Sequence, residues 1–308
     1  MIHVGKERVY NTLDAAHEPA ATVAPGSVVE IETPLNGGDW LHGVEDLWDP
    51  SKSRGPNLTT VVAVESAHPG DTLVVEVLDV VPGPLGYTGF AGWRNPLSQL
   101  IWENDWDVVT KTVRIEDGRV LWSDGLSLPV RPMIGTIATA PAGEPQTITS
   151  YEKAATYSPA CAVPSAYLPV EVEGALLHVG DCHALMGDGE IPHGGAIECS
   201  ATVTLRLSTR PGYASHEWLR AESDTHIMTI ANLDRMKDSF CAACRELIWW
   251  MVEDYGFDPR EAYLLLGQVL EARCTMLHGD DGPFSPYICK VEKRFLVPEG
   301  RAARSGKE

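Results

Sequence analysis

The hydrophobic pattern of the chain changes its period at about Ile230, and this change constrains the fold more than any other feature. Before that point, apolar and polar residues alternate in short β-branched segments, which is the pattern of half-buried strands. Strands are expected at 28–32, 59–65, 72–80, 109–115, 119–122, 196–207 and 225–230. Asp117 and Gly118 separate two of them and favour the positive φ angles of a type I′ hairpin turn.

Two amphipathic helices are expected in the last third of the chain. Across residues 233–255 the apolar side chains recur at helical spacing, and Gly256 follows where a helix commonly ends. Asp258 suits the N-cap of a second helix, and Pro259 suits its first position. The sequence therefore predicts an α/β, β-rich fold, with sheets of the sandwich or barrel type and helices mainly in the C-terminal third.

The length of 308 residues suffices for one large β-rich domain with a full core. We expect a single domain over residues 1–300, with room for a β-rich N-terminal subdomain at about 1–140. The polar residues 301–308 are expected to form a disordered tail.

Charge and hydropathy argue against two classes of partner. The formal net charge is −19, whereas nucleic-acid binding requires clustered Lys and Arg. No apolar run approaches the roughly 18 residues that span a bilayer, and residues 1–8 lack the apolar core of a signal peptide. A cytoplasmic protein without nucleic-acid or membrane partners is therefore expected. Its seven cysteines are expected to be free thiols, and Cys241 and Cys244 to be structural, since no second pair stands at zinc-ribbon spacing.

Residues 180–190, with the sequence GDCHALMGDGE, gather the ionisable groups that a metal-assisted hydrolase needs. Asp181, His183, Asp188 and Glu190 lie between three glycines, in an expected loop directly after an apolar run. Histidine nitrogen and carboxylate oxygen bind divalent metals, and a carboxylate can also carry a proton. Because Asp181 and His183 are two residues apart, a strand end would direct both to one face. The alternative is a polar hairpin loop with solvated acids.

The same segment resembles the signature of the acetamidase/formamidase family, which reads roughly G-D-x-H-A-x-x-G-D-G-E. Similarity to that family extends through residues 23–30, 69–79, 168–176 and 196–198. The resemblance implies a mostly β fold with helices near the C-terminus, and hydrolysis of short-chain amides to acid and ammonia. It also implies a metal, zinc for some members. The expected activity is thus an amidase acting on a small-molecule, linear, non-peptide amide.

Two segments depart from the family pattern. Members often carry Gly-Gly-Asn-x-Asp shortly before the Leu-Pro-Val strand, whereas this chain has KAATYSPA at 153–160. Residues 37–42 follow the early family segment only loosely. Any ligand or substrate contact from that family Asn or Asp is therefore in question, and a divergent substrate is an open alternative.

An aromatic segment at 83–107 is expected to be a long loop. It contains Trp93, Trp102 and Trp106, which either line a substrate pocket or anchor the loop to the sheet. If they line a pocket, it would suit a substrate larger and more apolar than formamide or acetamide.

The expected metal ligands are Asp181 and His183, and the resemblance adds Glu198, which matches the glutamate of the family's Ala-Ile-Glu. Glu190 is the expected general base and acid, with Asp188 as an orienting group or a further ligand. The expected cofactor is a divalent metal, zinc in first place and calcium as the alternative. Weaker ligand candidates are Asp39, His42, His178 and His193.

Three alternatives remain open from the sequence. Cys182 is a candidate nucleophile, although neighbours on a strand point to opposite faces. The substrate could be a cyclic amide of the lactam type. The chain could also bind calcium or a small ligand without catalysis. In each case a homodimer or higher homo-oligomer is expected, because exposed sheet edges favour pairing.

Overall fold

The computed structural model describes residues 1–53, 55, 57–91, 108–147, 164–187, 190, 196–212, 217–275 and 286–297. Within these residues, 16 strands join one continuous set of hydrogen-bonded ladders. The strands are β1 Ile2–Val4, β2 Ala21–Val23, β3 Ser27–Thr33, β4 Thr59–Val64, β5 Thr72–Ala91, β6 Val108–Glu116, β7 Arg119–Ser123, β8 Leu126–Pro129, β9 Met133–Ala138, β10 Ser165–Pro169, β11 Leu177–Leu185, β12 Ile197–Arg210, β13 Leu219–Glu222, β14 His226–Ala231, β15 Glu271–Cys274 and β16 Tyr287–Glu292. The helices are α1 Met236–Tyr255, α2 Pro259–Val269 and a 3₁₀ turn, Lys293–Phe295.

The main path through the sheet runs β15-β16-β14-β13-β10-β5-β12-β11-β4-β2. Three branches leave this path: β3 pairs with β12 and β1, β9 pairs with β11, and β6, β7 and β8 form a meander from β5. The path does not return on itself, so the sheet is open. The predicted β-rich class, with both α-helices in the C-terminal part of the described chain, is confirmed.

Strand β5 is longer than the sequence predicted. The expected loop at 83–107 is wrong over its first part, because residues 83–91 continue the strand and pair with β12 and β6. Pro82 lacks a backbone N–H, but it lies opposite Ala201, where the β12 register shifts. Prolines are tolerated at such irregularities. The three tryptophans expected in this segment fall outside the described residues, as do residues 153–160 and 301–308.

The hairpin between β6 and β7 forms where the sequence predicted it. Asp117 and Gly118 adopt φ angles of 49° and 70°, both positive, as the tight turn requires. This hairpin starts the meander that ends with β8.

Both α-helices begin and end close to the predicted positions. Helix α1 ends at Gly256, whose φ of 71° is left-handed, and the carboxylate of Asp258 accepts hydrogen bonds from two backbone N–H groups at the start of α2. The buried face of α1 does not coincide with the apolar face that the sequence predicts across residues 233–255, and it includes the carboxylate of Glu246. That carboxylate forms an ion pair with Arg220 of β13, which is 1% exposed.

The core has two main parts. A larger cluster lies among the strands around β11 and β12, and a second lies where α1 and α2 pack on β14 and β16. No helix in the described residues is both long enough and apolar enough to cross a membrane. The site described next belongs to the first part, whereas the helices form the second.

Candidate metal and catalytic site

One imidazole and two carboxylates meet in the sheet, where β11 and β12 pair. Asp181 and His183 come from β11 and Glu198 from β12, and one ligand atom of each lies within 4.8 Å of the other two. Nε2 of His183 lies 3.5 Å from Oδ1 of Asp181 and 3.4 Å from Oε2 of Glu198. The imidazole is 2% exposed and the Asp181 residue 7%. The structure thus brings together all three residues that were expected to bind metal.

Strand β11 exchanges one of its partners at Asp181. On one edge it pairs with β4 up to Gly180 and with β12 from His183 onward, while β9 follows the other edge across the change. Asp181 adopts a φ of 55°, a left-handed conformation that costs a non-glycine residue about 1–2 kcal/mol. Gly135 of β9 permits the close approach, because a Cβ there would lie 2.3 Å from the Asp181 carbonyl oxygen. Asp181 and His183 therefore lie inside a strand, and the loop expected from the sequence is wrong at these positions.

Asn36 connects the two carboxylates, and the sequence did not single it out. Its Oδ1 accepts hydrogen bonds from the backbone N–H groups of Asn57, at 2.8 Å, and Leu58, at 3.3 Å, just before β4 begins. Those bonds direct its Nδ2 to donate to Oδ1 of Asp181 and to Oε2 of Glu198, the latter at 3.3 Å. Asn36 thus lies between the start of β4 and the β12 carboxylate, where β11 exchanges these two partners.

Two aromatic residues, Tyr87 and Trp48, fix the backbone at Asn36 and Gly37 by hydrogen bonds. The hydroxyl of Tyr87 donates to the backbone oxygen of Asn36 at 2.8 Å, and its ring stacks on Trp48 with centroids 5.8 Å apart. The Trp48 indole donates to the backbone oxygen of Gly37 at 3.0 Å. Burial raises the pKa of Tyr87, so its hydroxyl remains a donor. The available sequence signal was the pair of glycines at 37 and 38, directly after Asn36, since close backbone packing favours glycine.

The site carries more buried negative charge than positive charge. Burial alone would lower the pKa of His183, but the carboxylates of Glu198 and Asp181 outweigh it and raise that pKa above its ordinary value. Burial raises the pKa of Glu198, with the charge of Asp181 adding to this effect and His183 opposing it. Such a concentration of buried carboxylates favours a bound cation.

Glu190 follows the end of β11 in sequence, and the charges of His183, Glu198 and Asp181 act on its carboxyl group. Its pKa is raised to about 7, chiefly by burial, with the charge of His183 opposing this effect and those of Glu198 and Asp181 adding to it. Its backbone is strained, with a φ of 25°, and its buried Oε2 has no hydrogen-bond partner among the described residues. A carboxyl group that titrates near neutral pH is suited to proton transfer.

Cys182, the candidate nucleophile, belongs to the hydrophobic core. It is fully buried, and that burial raises the pKa of its thiol to about 12. Its backbone oxygen accepts a hydrogen bond from the thiol of Cys199, at 3.5 Å. Since a nucleophilic cysteine needs an accessible thiolate, Cys182 is structural.

Three of the four weaker ligand candidates, Asp39, His42 and His178, do not join the group. Asp39 and His42 are exposed, and His178, although on β11, is fully buried with Nδ1 2.9 Å from the Thr59 hydroxyl. Asp188 and His193 lie outside the described residues, so their expected roles stay predictions.

A second group of possible metal ligands already forms ion pairs with neighbouring cationic side chains. His226, Glu271 and Glu292 converge on one face of the sheet. Lys290 lies 3.0 Å from Glu271, and Arg294 lies 2.7 Å from Glu292. These cations already neutralise the two carboxylates, so this group is a structural network.

The donors of the first group fit a transition metal. Among the described residues, neither ring nitrogen of the buried His183 makes a hydrogen bond, and its Nε2 lies 3.5 Å or less from carboxylate oxygens of both Asp181 and Glu198, as three ligands of one metal ion would. Nitrogen together with carboxylate oxygen suits zinc, whereas calcium prefers oxygen alone. Asn36 supplies the outer hydrogen bonds that orient such ligands.

Comparisons with known proteins agree with the expected family. The model of the acetamidase/formamidase family matches residues 2–165 and 162–277. The chain is 25% identical over 341 residues to an acetamidase of Mycolicibacterium smegmatis, covering 80% of this chain and 82% of that protein. The crystal structure of an acetamidase from Bacillus halodurans matches with a TM-score of 0.83 and 29% identity, covering 96% of this chain and 98% of that one.

A third relative is matched over a smaller share of its length. It is a predicted formamidase of Schizosaccharomyces pombe (strain 972 / ATCC 24843), 26% identical over 253 residues, which cover 61% of this chain. The match spans only 60% of the length of that relative.

Proposed function

Because the chain belongs to the acetamidase/formamidase family, we propose that it is an amidase, which hydrolyses the C–N bond of linear, non-peptide amides to a carboxylate and ammonia. The observation that carries this proposal is the buried group of Asp181, His183 and Glu198, with Glu190 facing the same charges. Amide hydrolysis needs an activated water, stabilisation of the developing oxyanion and a proton for the leaving nitrogen.

The ligands of a divalent ion, zinc by the chemistry of the donors, would be Asp181, His183 and Glu198. When bound, such an ion supplies Lewis-acid polarisation and makes water acidic near neutral pH. The chain's own part is to orient the ligands: Asn36 donates to both carboxylates and leaves the imidazole nitrogen of His183 directed between them. The β-sheet around them excludes bulk water, which strengthens these interactions.

Glu190 is the group that holds and moves the proton. With a pKa of about 7, its carboxyl group occurs in both the protonated and the ionised form at neutral pH. It can therefore accept a proton from the attacking water and give one to the departing nitrogen. Asp188, in the same GDGE segment, is the proposed orienting group for Glu190.

The proposal extends to the setting of the enzyme. We expect a cytoplasmic protein that forms a homodimer or higher homo-oligomer and acts on small amides without nucleic acid or membrane. Size-exclusion chromatography with light scattering measures the oligomeric state, and a monomeric mass would contradict that part of the proposal.

The test is a panel of amides assayed by ammonia release. Purified protein, loaded with zinc, is incubated with formamide, acetamide, propionamide and benzamide, alongside Glu198→Gln and a matched surface variant, Glu65→Gln. Release by the wild type and Glu65→Gln, with a large loss in Glu198→Gln, supports the proposal. Activity on a γ-lactam with none on linear amides would replace the linear substrate by a cyclic one. If the protein shows no activity on any of these amides, does not retain the added zinc and retains only calcium, the alternative of a non-catalytic calcium-binding protein would be favoured.

A further inference from the structure

Two thiols from different elements face each other between α1 and the sheet. Sγ of Cys244, on α1, lies 3.4 Å from Sγ of Cys289, on β16. Cys241, the other cysteine of the C-x-x-C, is exposed on the helix surface, whereas Cys244 is directed to the strand. The partner of Cys244 is therefore a cysteine 45 residues away in sequence.

The packing around this pair holds both thiols in place. Thr229, the cross-strand neighbour of Cys289, donates its hydroxyl hydrogen bond to the Ala243 backbone oxygen at 2.7 Å and thereby ties α1 to the sheet. The rings of Phe240 and Tyr287 pack edge to face beside it, 5.3 Å apart. The two sulfurs, 3.4 Å apart, must approach by only about 1.4 Å to reach the length of a disulfide bond.

The two thiols differ in accessibility and acidity. Cys289 is fully buried, whereas Cys244 is half-buried. The hydrogen bond between the two thiols lowers the pKa of Cys244. The same hydrogen bond, together with burial, raises the pKa of Cys289. Cys244 is thus the more accessible and the more acidic thiol of the pair, which a small oxidant reaches first, and Cys289 is the buried thiol next to it.

A metal does not explain the pair. Among the described residues, the groups of three or more potential metal ligands include neither Cys244 nor Cys289. A zinc site needs three or four protein ligands, so the geometry fits dithiol chemistry better.

We propose that Cys244 and Cys289 form an oxidation site, which a hydroperoxide converts to a disulfide. The Cys244 thiolate attacks one oxygen of hydrogen peroxide, the O–O bond breaks, and a sulfenic acid and a hydroxide form. The hydroxide takes up the one proton that the Cys244 thiol had released and becomes the first water. The Cys289 sulfur then attacks the sulfenic sulfur, its proton leaves with the hydroxyl as a second water, and the S–S bond forms. Two thiols are oxidised by two electrons in total, and one hydrogen peroxide is reduced to two waters.

The disulfide would join α1 to β16 covalently without touching β11 or β12. Both cysteines belong to the cluster beneath the helices, while the candidate metal ligands lie in the other part of the sheet. We therefore expect oxidation to raise the melting temperature of the protein and to leave its ammonia release unchanged.

The test uses a variant that makes the peptide map unambiguous. Trypsin cleavage places Cys241 and Cys244 on one peptide, 238–245, and Cys274 and Cys289 on another, 274–290. In a Cys241→Ser, Cys274→Ser double variant each peptide retains one cysteine. After brief treatment with equimolar hydrogen peroxide, a cross-linked 238–245/274–290 peptide that dithiothreitol separates is the expected product, with a mass loss of about 2 Da.

Single variants supply the controls. Cys289→Ser should stop the reaction at a Cys244 sulfenic acid that dimedone traps, and Cys244→Ser should leave Cys289 unmodified. The proposal is overturned if Cys244 remains reduced in the double variant, or if it passes to sulfinic acid while Cys289 stays free. It is also overturned if the cross-link forms but the melting temperature does not rise.

Discussion

His183 lies directly opposite Glu198 in the β11–β12 pair, and its Nε2 is 3.4 Å from the Glu198 Oε2. Cross-strand neighbours in an antiparallel pair are close without any help from loops, so the sheet itself sets this distance. Asp181 joins them because its left-handed backbone lies where β11 exchanges β4 for β12. The candidate site is therefore built into the regular part of the fold.

Replacing His183 by alanine should remove both bound metal and amidase activity. A lost nitrogen ligand weakens the coordination shell and leaves two buried carboxylates to repel each other. Metal analysis by mass spectrometry after dialysis, together with ammonia release, measures the two effects. His68→Ala, which changes an exposed histidine, is the matched control and should behave as the wild type. Normal metal content in His183→Ala would show that the ligand assignment is wrong.

Replacing Glu190 by glutamine should separate catalysis from metal binding. Glutamine has nearly the same shape but cannot exchange a proton, so turnover should fall by about 10²–10⁴-fold, the usual contribution of a general acid or base. The metal content should stay that of the wild type. A variant with full turnover, or one that loses its metal, would assign a different role to Glu190.

Replacing Asn36 by alanine should weaken metal binding although Asn36 is not an expected ligand. Alanine removes one hydrogen bond from each of Asp181 and Glu198, so both carboxylates are held less firmly, and such outer-shell losses typically reduce metal affinity or activity by about 10–100-fold. Asn36→Asp should be worse, because it replaces the donor with a further buried negative charge. Competition with a chelator gives the metal dissociation constants. Equal constants for wild type and Asn36→Ala would reduce Asn36 to a packing residue.

His178 should make the folded state sensitive to acid. Burial, with a smaller contribution from His17, lowers its pKa from 6.5 to about 3, so the folded protein resists a proton that the unfolded chain accepts. Its contribution to stability is therefore complete above about pH 6.5 and falls as pH decreases towards 3. Between pH 7.5 and 5.5 the loss should be about 1.4 kcal/mol.

Urea unfolding at these two pH values tests this dependence. The variant His178→Gln does not titrate, so its stability should change less with pH than that of the wild type, whatever its absolute stability. Equal changes in the two proteins would contradict the role of His178.

The sequence predicted the parts of the fold that depend on local patterns. The 3.6-residue period, Gly256 and Asp258 predicted the helices, and the DG pair predicted the hairpin, because these features act through neighbouring residues. The extension of β5 was missed because its Pro-Gly-Pro segment is typical of a loop. Only pairing with the distant β12 and β6 keeps it extended.

The candidate site likewise combines residues that the sequence indicated with one, Asn36, that only the structure shows. Asp181, His183 and Glu190 stand in one short motif, so the sequence indicated them together, and the family resemblance added Glu198 in the next strand. Asn36 lies 145 residues from Asp181, and the two glycines that follow it indicate close backbone packing but not a carboxylate partner. That contact exists only after β4, β11 and β12 have met. The family resemblance was confirmed, whereas this supporting contact required the structure.

The double pairing of β11 has a consequence for how such a site can change. Because both edges of this strand are hydrogen-bonded along most of its length, its amide hydrogens should be among the last in the chain to exchange with solvent. Asp181 and His183, the two candidate metal ligands on this strand, then cannot move without breaking ladders to β4, β9 or β12. New substrate preferences would therefore have to arise in the loops that surround the ligands, while the ligand strand stays as it is.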